Sequence, residues 1–154
     1  MRIFRNRKAS FEYTFLEDFE AGIELKGAEI KSIRNGHISF LDSYAKVEMD
    51  QVWLVNMFIG NYEKESYFAL DTKRERRLLL TKREIKKLKK KVLEQGLTII
   101  PKKLYINDRG FAKVTISLSK GKRSYDKRES LKRKDEKREL AREFKKNNLF
   151  KEKK

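Results

Sequence analysis

Hydrophobic and polar residues alternate with a period of two along most of the first 120 residues, which predicts a series of short β-strands. The alternating or apolar runs lie at residues 11–15, 19–25, 45–49, 52–59, 78–80, 97–106 and 112–118. Asp50 with Gln51, and residues 107–110, supply turns between runs, so neighbouring strands are expected to pair in an antiparallel way. Strands of this number and spacing predict a mainly β fold, a small antiparallel barrel that resembles the oligonucleotide-binding fold.

Two segments change to a helical period and are predicted to be helices inserted into the barrel. The first covers residues 27–36, with Glu29 pointing away from its apolar face. The second begins at a capping box made by Thr81 and Glu84 and ends at Gly96. Its other faces carry seven cations, Lys82, Arg83, Lys86, Lys87, Lys89, Lys90 and Lys91. The polar residues 60–75 between these helices have no clear period and are predicted to form a loop.

The end of the chain has a different composition from the rest. From Lys120 onward it holds 16 Lys/Arg against 7 Asp/Glu, so that +9 of the net charge of +17 lies there. It has too few apolar residues to bury a face of a helix against a core. Such segments stay disordered until a partner orders them, and phosphate is the natural partner for positive charge. The predicted division is a body at 1–120 and a basic tail at 121–154 that is disordered when free and becomes helical on RNA or DNA, unless it is only a solvated charged helix or a solubilising tail.

Composition narrows the function further. The chain has no cysteine and only one histidine, His37, which excludes disulfides, thiolate catalysis and zinc sites built from these ligands. No glycine-rich phosphate-binding motif is present, and no apolar run is long enough to span a bilayer. The sequence therefore predicts a soluble cytoplasmic monomer that is not an enzyme, has no cofactor and no metal, and binds a polyanion.

Two local features are candidate RNA contacts, and each has a simpler interpretation. The cations around Asn6, Arg7 and Lys8 form either a solvated, frayed terminus or a nucleic-acid contact. Glu20 precedes Gly22 on a predicted strand, where backbone is open to a close partner. Its carboxylate is suited to accept hydrogen bonds from a base or a ribose hydroxyl, unless it is only an exposed strand residue.

With these features in place, the sequence closely resembles the small protein B family, the SsrA-binding proteins of bacterial trans-translation. The resemblance lies in blocks spread over almost the whole chain. They are residues 6–9, 19–23, Gly27, 29–32, Arg34, Gly36, 42–44, Arg76, 78–80, 104–105, 121–122 and 125–128.

The resemblance implies an RNA-binding adaptor that binds the tRNA-like domain of transfer-messenger RNA and accompanies it to stalled ribosomes. In the body, it ties six residues to RNA binding or to the surface that supports it: Asn6, Arg7, Lys8, Glu20, Arg76 and Leu79. In the tail, it implies contact with the decoding centre and the empty mRNA channel of the small subunit through Gly121, Lys122, Tyr125, Asp126, Lys127 and Arg128. Alanyl-tRNA synthetase and the elongation factor that delivers aminoacyl-tRNA are implied as indirect partners.

Other functions remain open on the residues alone. A ribosomal or ribosome-assembly protein would share the same barrel and basic tail. A metal-dependent nuclease would use the carboxylates of Glu20, Glu24, Glu29 and Asp42. A cationic membrane-surface protein is disfavoured, because the tail lacks the apolar face that such a helix needs.

Overall fold

The computed structural model describes residues 2–61, 71–122, 128 and 131–143. The chain divides into two compact units, Met1–Gly121 and Lys122–Lys154. The elements of the first unit are, in chain order, β1 (Ile3–Arg5), α1 (Arg7–Glu12), β2 (Tyr13–Ile23), α2 (Gly27–Arg34), β3 (Ile38–Ser39), β4 (Tyr44–Glu48), β5 (Gln51–Val55), β6 (Phe58–Ile59), β7 (Arg76–Leu79), α3 (Lys82–Gln95), β8 (Thr98–Ile106) and β9 (Ala112–Gly121).

The main sheet closes on itself, which confirms the predicted antiparallel barrel. Its strand order is β1-β8-β4-β5-β7-β2-β9, and β9 pairs back onto β8. β8 has three partners, because β4 pairs at Ile99 and β1 pairs at 103–105, while β9 runs along nearly the whole strand. β1 and β4 therefore share one edge of β8, and the ring of β8, β4, β5, β7, β2 and β9 encloses the core.

The start of the chain is ordered differently from the prediction. Phe11 lies in helix α1 rather than in a strand, and β1 is paired with β8, so the interpretation as a frayed terminus is wrong. Asn6 is the reason, because its Oδ1 accepts from Ala9 N at 3.3 Å and its Nδ2 donates to Pro101 O at 2.8 Å. The same side chain thus caps the helix and ties it to β8, which adds α1 to the two helices that the sequence predicts for the body.

The hairpin between β4 and β5 is also shifted from its predicted place. Gln51 pairs with Glu48, so the turn is made by Met49 and Asp50, which both have a positive φ. The predicted long strand 52–59 is interrupted at Asn56, where φ is 64°. Beyond that point, β6 leaves the barrel sheet and pairs with β3.

Helix α3 forms as its sequence predicts. The Thr81 side chain accepts from Glu84 N, and the Glu84 side chain accepts from Thr81 N, which completes the capping box. Ile85 and Leu88 are buried against the barrel, and Gly96 ends the helix with a φ of 62°.

The interior contains a charged pair where the helical pattern predicted only apolar contacts. Glu29 of α2 was expected to point away from the apolar face, and this prediction is wrong: it is 2% exposed, and Arg76 of β7 is 0% exposed. Arg76 Nε donates to Glu29 Oε2 at 2.6 Å. The other two guanidinium nitrogens donate to the carbonyl oxygens of Met57 at 2.7 Å and Thr72 at 3.0 Å. All three donor nitrogens of Arg76 are therefore satisfied inside the protein.

Both oxygens of the Glu29 carboxylate accept hydrogen bonds, just as all three donor nitrogens of Arg76 donate them. Arg74 donates to both of its oxygens, and the Lys26 backbone N–H donates to Oε1 at 2.9 Å. Burial raises the pKa of Glu29, but the hydrogen bonds from Arg74, Lys26 and Arg76 together hold the pKa below its usual value of 4.5. The pair therefore joins α2 to β7 as ions at neutral pH.

The second unit is helical where it is described. Residue 128 and residues 131–143 are α-helical, within the basic tail at 121–154. Leu131 and Leu140 are exposed on this helix, at 52% and 67%.

Candidate nucleic-acid interface

Residues from four neighbouring strands form a row across the outer face of the barrel. Arg5 pairs with Lys103, Lys103 with Thr115, and Thr115 with Glu20. Paired residues on adjacent strands project to the same face of a sheet, about 4.8 Å apart. None of the four is buried, so the row faces outward. It brings a predicted RNA contact, Glu20, into line with the basic start of the chain.

A second row runs beside the first and extends one strand further. Ile3 pairs with Tyr105, Tyr105 with Lys113, Lys113 with Gly22, and Gly22 with Leu79. Leu79 is 48% exposed, although its neighbour Leu78 is 1% exposed and belongs to the core. We call these two rows together the sheet interface. It presents cations, a carboxylate, an aromatic ring and an apolar side chain on one continuous surface.

Glu20 is held in place by a residue that sequence reasoning did not identify as part of the site. The Tyr105 hydroxyl donates a hydrogen bond to Glu20 Oε1, across the intervening strand β9. This bond to the carboxylate raises the pKa of Tyr105 to about 12, so the phenol remains a donor at neutral pH. Lys103 Nζ lies 5.8 Å from the centre of the Tyr105 ring. The carboxylate is therefore oriented before any partner arrives.

Gly22 lets Leu79 lie close to the surface of β2. A Cβ atom at residue 22 would come within 3.3 Å of the Leu79 Cβ and 3.4 Å of its Cδ1. The neighbouring side chain would have to move to admit it, so glycine makes room for Leu79 beside β2. The Leu79 side chain therefore occupies space that the sequence predicted would be open to a partner.

A groove of about 790 Å³ lies next to the sheet interface, between the start of the chain and the segment 38–44. Arg5, Arg7 and Lys8 lie along one wall. The opposite wall includes Phe40 and Tyr44. Tyr44 is 38% exposed and lines this groove. A groove with cations on one wall and aromatic rings on the other fits a nucleic-acid strand.

The segment 40–43 keeps its shape through local hydrogen bonds. Ser43 Oγ donates to Phe40 O at 2.6 Å, and Asp42 between them has a φ of 59°. Asn56 Nδ2 donates to Asp42 O at 3.4 Å. The family block at residues 42–44 thus forms one wall of the groove whose other wall is the block at residues 6–9.

The six body residues singled out by the resemblance fall into two groups. Arg7, Lys8, Glu20 and Leu79 are exposed on the groove or on the sheet interface. Asn6 uses its amide to cap α1 and to bind β8, and Arg76 is enclosed in the core. For Arg76, a direct contact with RNA is excluded by its burial. Arg76 is therefore placed to support the surface, whereas Asn6 both supports it and lines the groove.

The structure describes only part of the tail site. Gly121 is the last residue of β9 and pairs with Tyr13, Lys122 follows it, and Arg128 is exposed on a helix. The three predicted contacts Tyr125, Asp126 and Lys127 lie outside the described residues.

The carboxylates that a nuclease would use are separated from one another. Glu29 is bound by arginines in the core, Glu24 accepts from Arg77 at 3.1 Å, and Glu20 accepts from Tyr105. Among the described residues no group of three or more His, Asp and Glu side chains is placed to hold a metal ion. Nor does any helix in the same part of the chain have the length and apolar character needed to cross a membrane.

Several residues of the sheet interface escaped the sequence analysis. Lys103, Tyr105, Lys113 and Thr115 lie at the polar or exposed positions of the two alternating runs that became β8 and β9. The alternation marks them as outward-facing, but only the register of β9 between β8 and β2 brings them next to Glu20.

Comparison with known proteins gives consistent results. A family model described as SmpB protein matches residues 3–146. The SsrA-binding protein of Chlorobaculum tepidum is 53% identical over 135 residues, 88% of this chain and 86% of that protein. The SsrA-binding protein of Geobacillus thermodenitrificans is 51% identical over 142 residues, 92% of this chain and 91% of that protein. A solved chain described as "tmRNA-SmpB: a journey to the center of the bacterial ribosome" matches with a TM-score of 0.68 and 45% identity, over 84% of this chain and 94% of that chain.

Proposed function

Since the chain belongs to the SmpB protein family, we propose that it binds the tRNA-like domain of transfer-messenger RNA and delivers that RNA to stalled ribosomes for trans-translation. It acts as an RNA-binding adaptor, and binding and positioning are its whole contribution. The observation that supports this most directly is the sheet interface, where Glu20, Tyr105 and Leu79 share one outer face with Arg5, Lys103 and Lys113.

Each kind of side chain on this surface has a distinct task. The cations bind phosphate and supply affinity that does not depend on sequence. Glu20 accepts from a base amino group or a ribose hydroxyl, which a phosphate-binding lysine cannot do. Leu79 packs against an exposed part of the RNA, and Gly22 makes room for Leu79 at this position. The RNA is thus recognised by shape and by a few polar contacts.

The tail provides the second RNA surface in this proposal. Gly121, Lys122, Tyr125, Asp126, Lys127 and Arg128 meet the decoding centre of the small ribosomal subunit. The basic segment beyond them follows the empty mRNA channel as a helix, ordered by the phosphates around it. The support for this is the net charge of +9 from Lys120 onward and the resemblance of residues 121–128 to the family.

The remaining partners follow from this role. Alanyl-tRNA synthetase and the elongation factor for aminoacyl-tRNA act on the same RNA, so they meet the protein through the RNA. The place of action is the cytoplasm, where the ribosomes are, and the protein acts as a monomer.

The first test replaces Glu20. Glu20→Ala is expected to weaken binding of transfer-messenger RNA between about tenfold and a hundredfold, since a charge-assisted hydrogen bond contributes about 1.5–3 kcal/mol. Binding is measured by filter retention against the tRNA-like domain, with an excess of elongator tRNA as competitor. Glu48→Ala, at the exposed end of β4 and outside the sheet interface, is the matched control. Equal affinity of both variants would contradict the role of Glu20.

The second test separates the two surfaces. Deletion from Tyr125 onward is expected to leave binding of transfer-messenger RNA within about twofold, because the compact unit Met1–Gly121 remains. The same deletion is expected to abolish peptide tagging on stalled ribosomes in a reconstituted translation system. If the deletion and Glu20→Ala reduce RNA binding equally, the proposed division between body and tail is wrong.

A further inference from the structure

Helix α3 carries more positive charge than its place in the barrel requires. Its 14 residues include seven Lys/Arg and two Glu. Two of the cations hold the helix to the barrel: Lys87 pairs with Glu17, and Lys89 Nζ lies 3.5 Å from Asp50 Oδ1. Within the part of the chain that the structure describes, Arg83, Lys86 and Lys90 form no ion pair and are exposed. We call these three residues the α3 ridge.

The α3 ridge lies opposite the buried face of the helix. At 100° per residue, Arg83, Lys86 and Lys90 fall within about 60° of one another, on the side away from Ile85 and Leu88. From Arg83 to Lys90 the helix rises about 10 Å at 1.5 Å per residue. A nucleic-acid strand presents about three phosphates over this length, at roughly 3.4 Å of axis per phosphate. The ridge therefore matches a strand of phosphates in length.

The free protein gains no stability from this arrangement. Lys86 lies three residues after Arg83 and four before Lys90, and like charges at these spacings destabilise a helix. Lys82 and Arg83 also occupy the first turn, where the helix dipole favours negative charge. A polyanion on this face would remove both costs.

The ridge begins where the sheet interface ends. Leu79 is the last residue of β7, and α3 starts three residues later at Lys82. Leu79 and Thr81 line the same shallow depression. Arg83 follows Leu79 by only four residues, so the α3 ridge starts close to the apolar end of the sheet interface.

We propose that the α3 ridge binds the phosphate backbone of transfer-messenger RNA as a continuation of the sheet interface. This rests on the proposed function, since it extends the surface that takes the same RNA. The ridge carries no acceptor group and no aromatic ring, so it adds affinity and orientation without selecting sequence.

The test compares two variants that lose the same charge. The ridge variant is Arg83→Gln with Lys90→Gln, and the control is Lys73→Gln with Arg109→Gln, which lie in loops away from the ridge. Each full-length protein is titrated against the tRNA-like domain of transfer-messenger RNA over a series of salt concentrations, and its thermal unfolding is followed in parallel.

For the ridge variant, the slope of log affinity against log salt is expected to fall by about 1.4 to 1.8, at 0.7 to 0.9 per phosphate contact. Affinity at moderate salt is expected to fall about tenfold, with an unfolding temperature equal to or above that of the original protein. The control is expected to keep the slope and to lose less than threefold in affinity.

Three results would overturn the inference. They are a ridge variant that binds like the original protein, an equal loss of slope in both variants, and a loss seen only with ribosomes and not with the isolated RNA domain. A different result tests the proposed function itself: if the original protein fails to prefer transfer-messenger RNA over elongator tRNA, the adaptor function is wrong and the inference falls with it.

Discussion

Two glutamates of the barrel use the same carboxylate chemistry in opposite surroundings. Glu29 is 2% exposed and is bound by two arginines and a backbone N–H, so its oxygens are fully used inside the protein. Glu20 is exposed and accepts a single hydrogen bond, from Tyr105 to Oε1. Its Oε2 accepts none from the described residues. Burial thus makes one carboxylate a structural link and leaves the other as a preorganised acceptor for a partner.

The largest expected effect comes from breaking the buried pair. Arg76→Ala leaves Glu29 charged without its main buried partner, and loss of one member of a buried pair costs about 3–5 kcal/mol. Urea unfolding, followed by the fluorescence of Trp53, measures the change in the free energy of unfolding. RNA affinity of the molecules that remain folded is expected to stay within about threefold. A large loss of RNA affinity without a loss of stability would contradict this. It would mean that the pair of Arg76 and Glu29 contributes to RNA binding, as the pair of Tyr105 and Glu20 is proposed to do.

A smaller effect is expected from acid on the same pair. The pKa of Glu29 is lower in the folded protein than its usual 4.5, because the hydrogen bonds outweigh burial. Its contribution to stability is therefore complete above about pH 4.5 and is lost as the pH falls through the folded value. The free energy of unfolding is measured over a series of pH values from neutral to acid. It is expected to decrease as the pH is lowered below about 4.5. Glu29→Gln should flatten that part of the pH profile.

The smallest expected effect concerns the exposed pair, Glu20 and Tyr105. Tyr105→Phe removes only the hydroxyl that orients Glu20, and RNA affinity is expected to fall about two- to fivefold, the size of one hydrogen bond. The free energy of unfolding should stay within about 0.5 kcal/mol. In the double variant with Glu20→Gln, the two losses should not add, because both remove the same oriented acceptor. Additive losses would mean that Tyr105 contacts the RNA independently.

The hydrogen bond from Tyr105 to Glu20 can be tested in the free protein by measuring phenolate absorbance. The bond to Glu20 holds the pKa of Tyr105 at about 12, against an ordinary 10.0. Glu20→Gln is expected to lower the pKa of Tyr105 toward 10.0 in a titration of phenolate absorbance. An unchanged titration would show that Tyr105 and Glu20 are not bonded in solution.

The parts of the fold that were predictable depend on neighbours in sequence. The alternation of 19–25 and 112–118 reflects strands with one face in the core, and the capping box at Thr81 joins residues three apart. These signals are local, so they can be recognised without knowing the fold. The barrel followed from their number and spacing.

The parts that were not predictable depend on partners far along the chain. Glu29 looks like a solvent-facing helix residue until Arg76, 47 residues later, is placed beside it. Asn6 becomes a helix cap that is fixed to Pro101, 95 residues away, and this overrides the alternation around Phe11. The sheet interface has the same origin, since Tyr105 and Glu20 are 85 residues apart. The resemblance to the family identified Glu20, but it did not identify the donor that orients it.

The pairing of β1 with the far half of β8 sets an order for folding during synthesis. Ile3–Arg5 cannot find a partner until residues 103–105 have left the ribosome, so the first strand to be made is among the last to be placed. Contacts of such long sequence separation also slow folding. Arg7 and Lys8 follow this strand directly. A nascent chain therefore has no complete RNA-binding surface until almost the entire body has been translated.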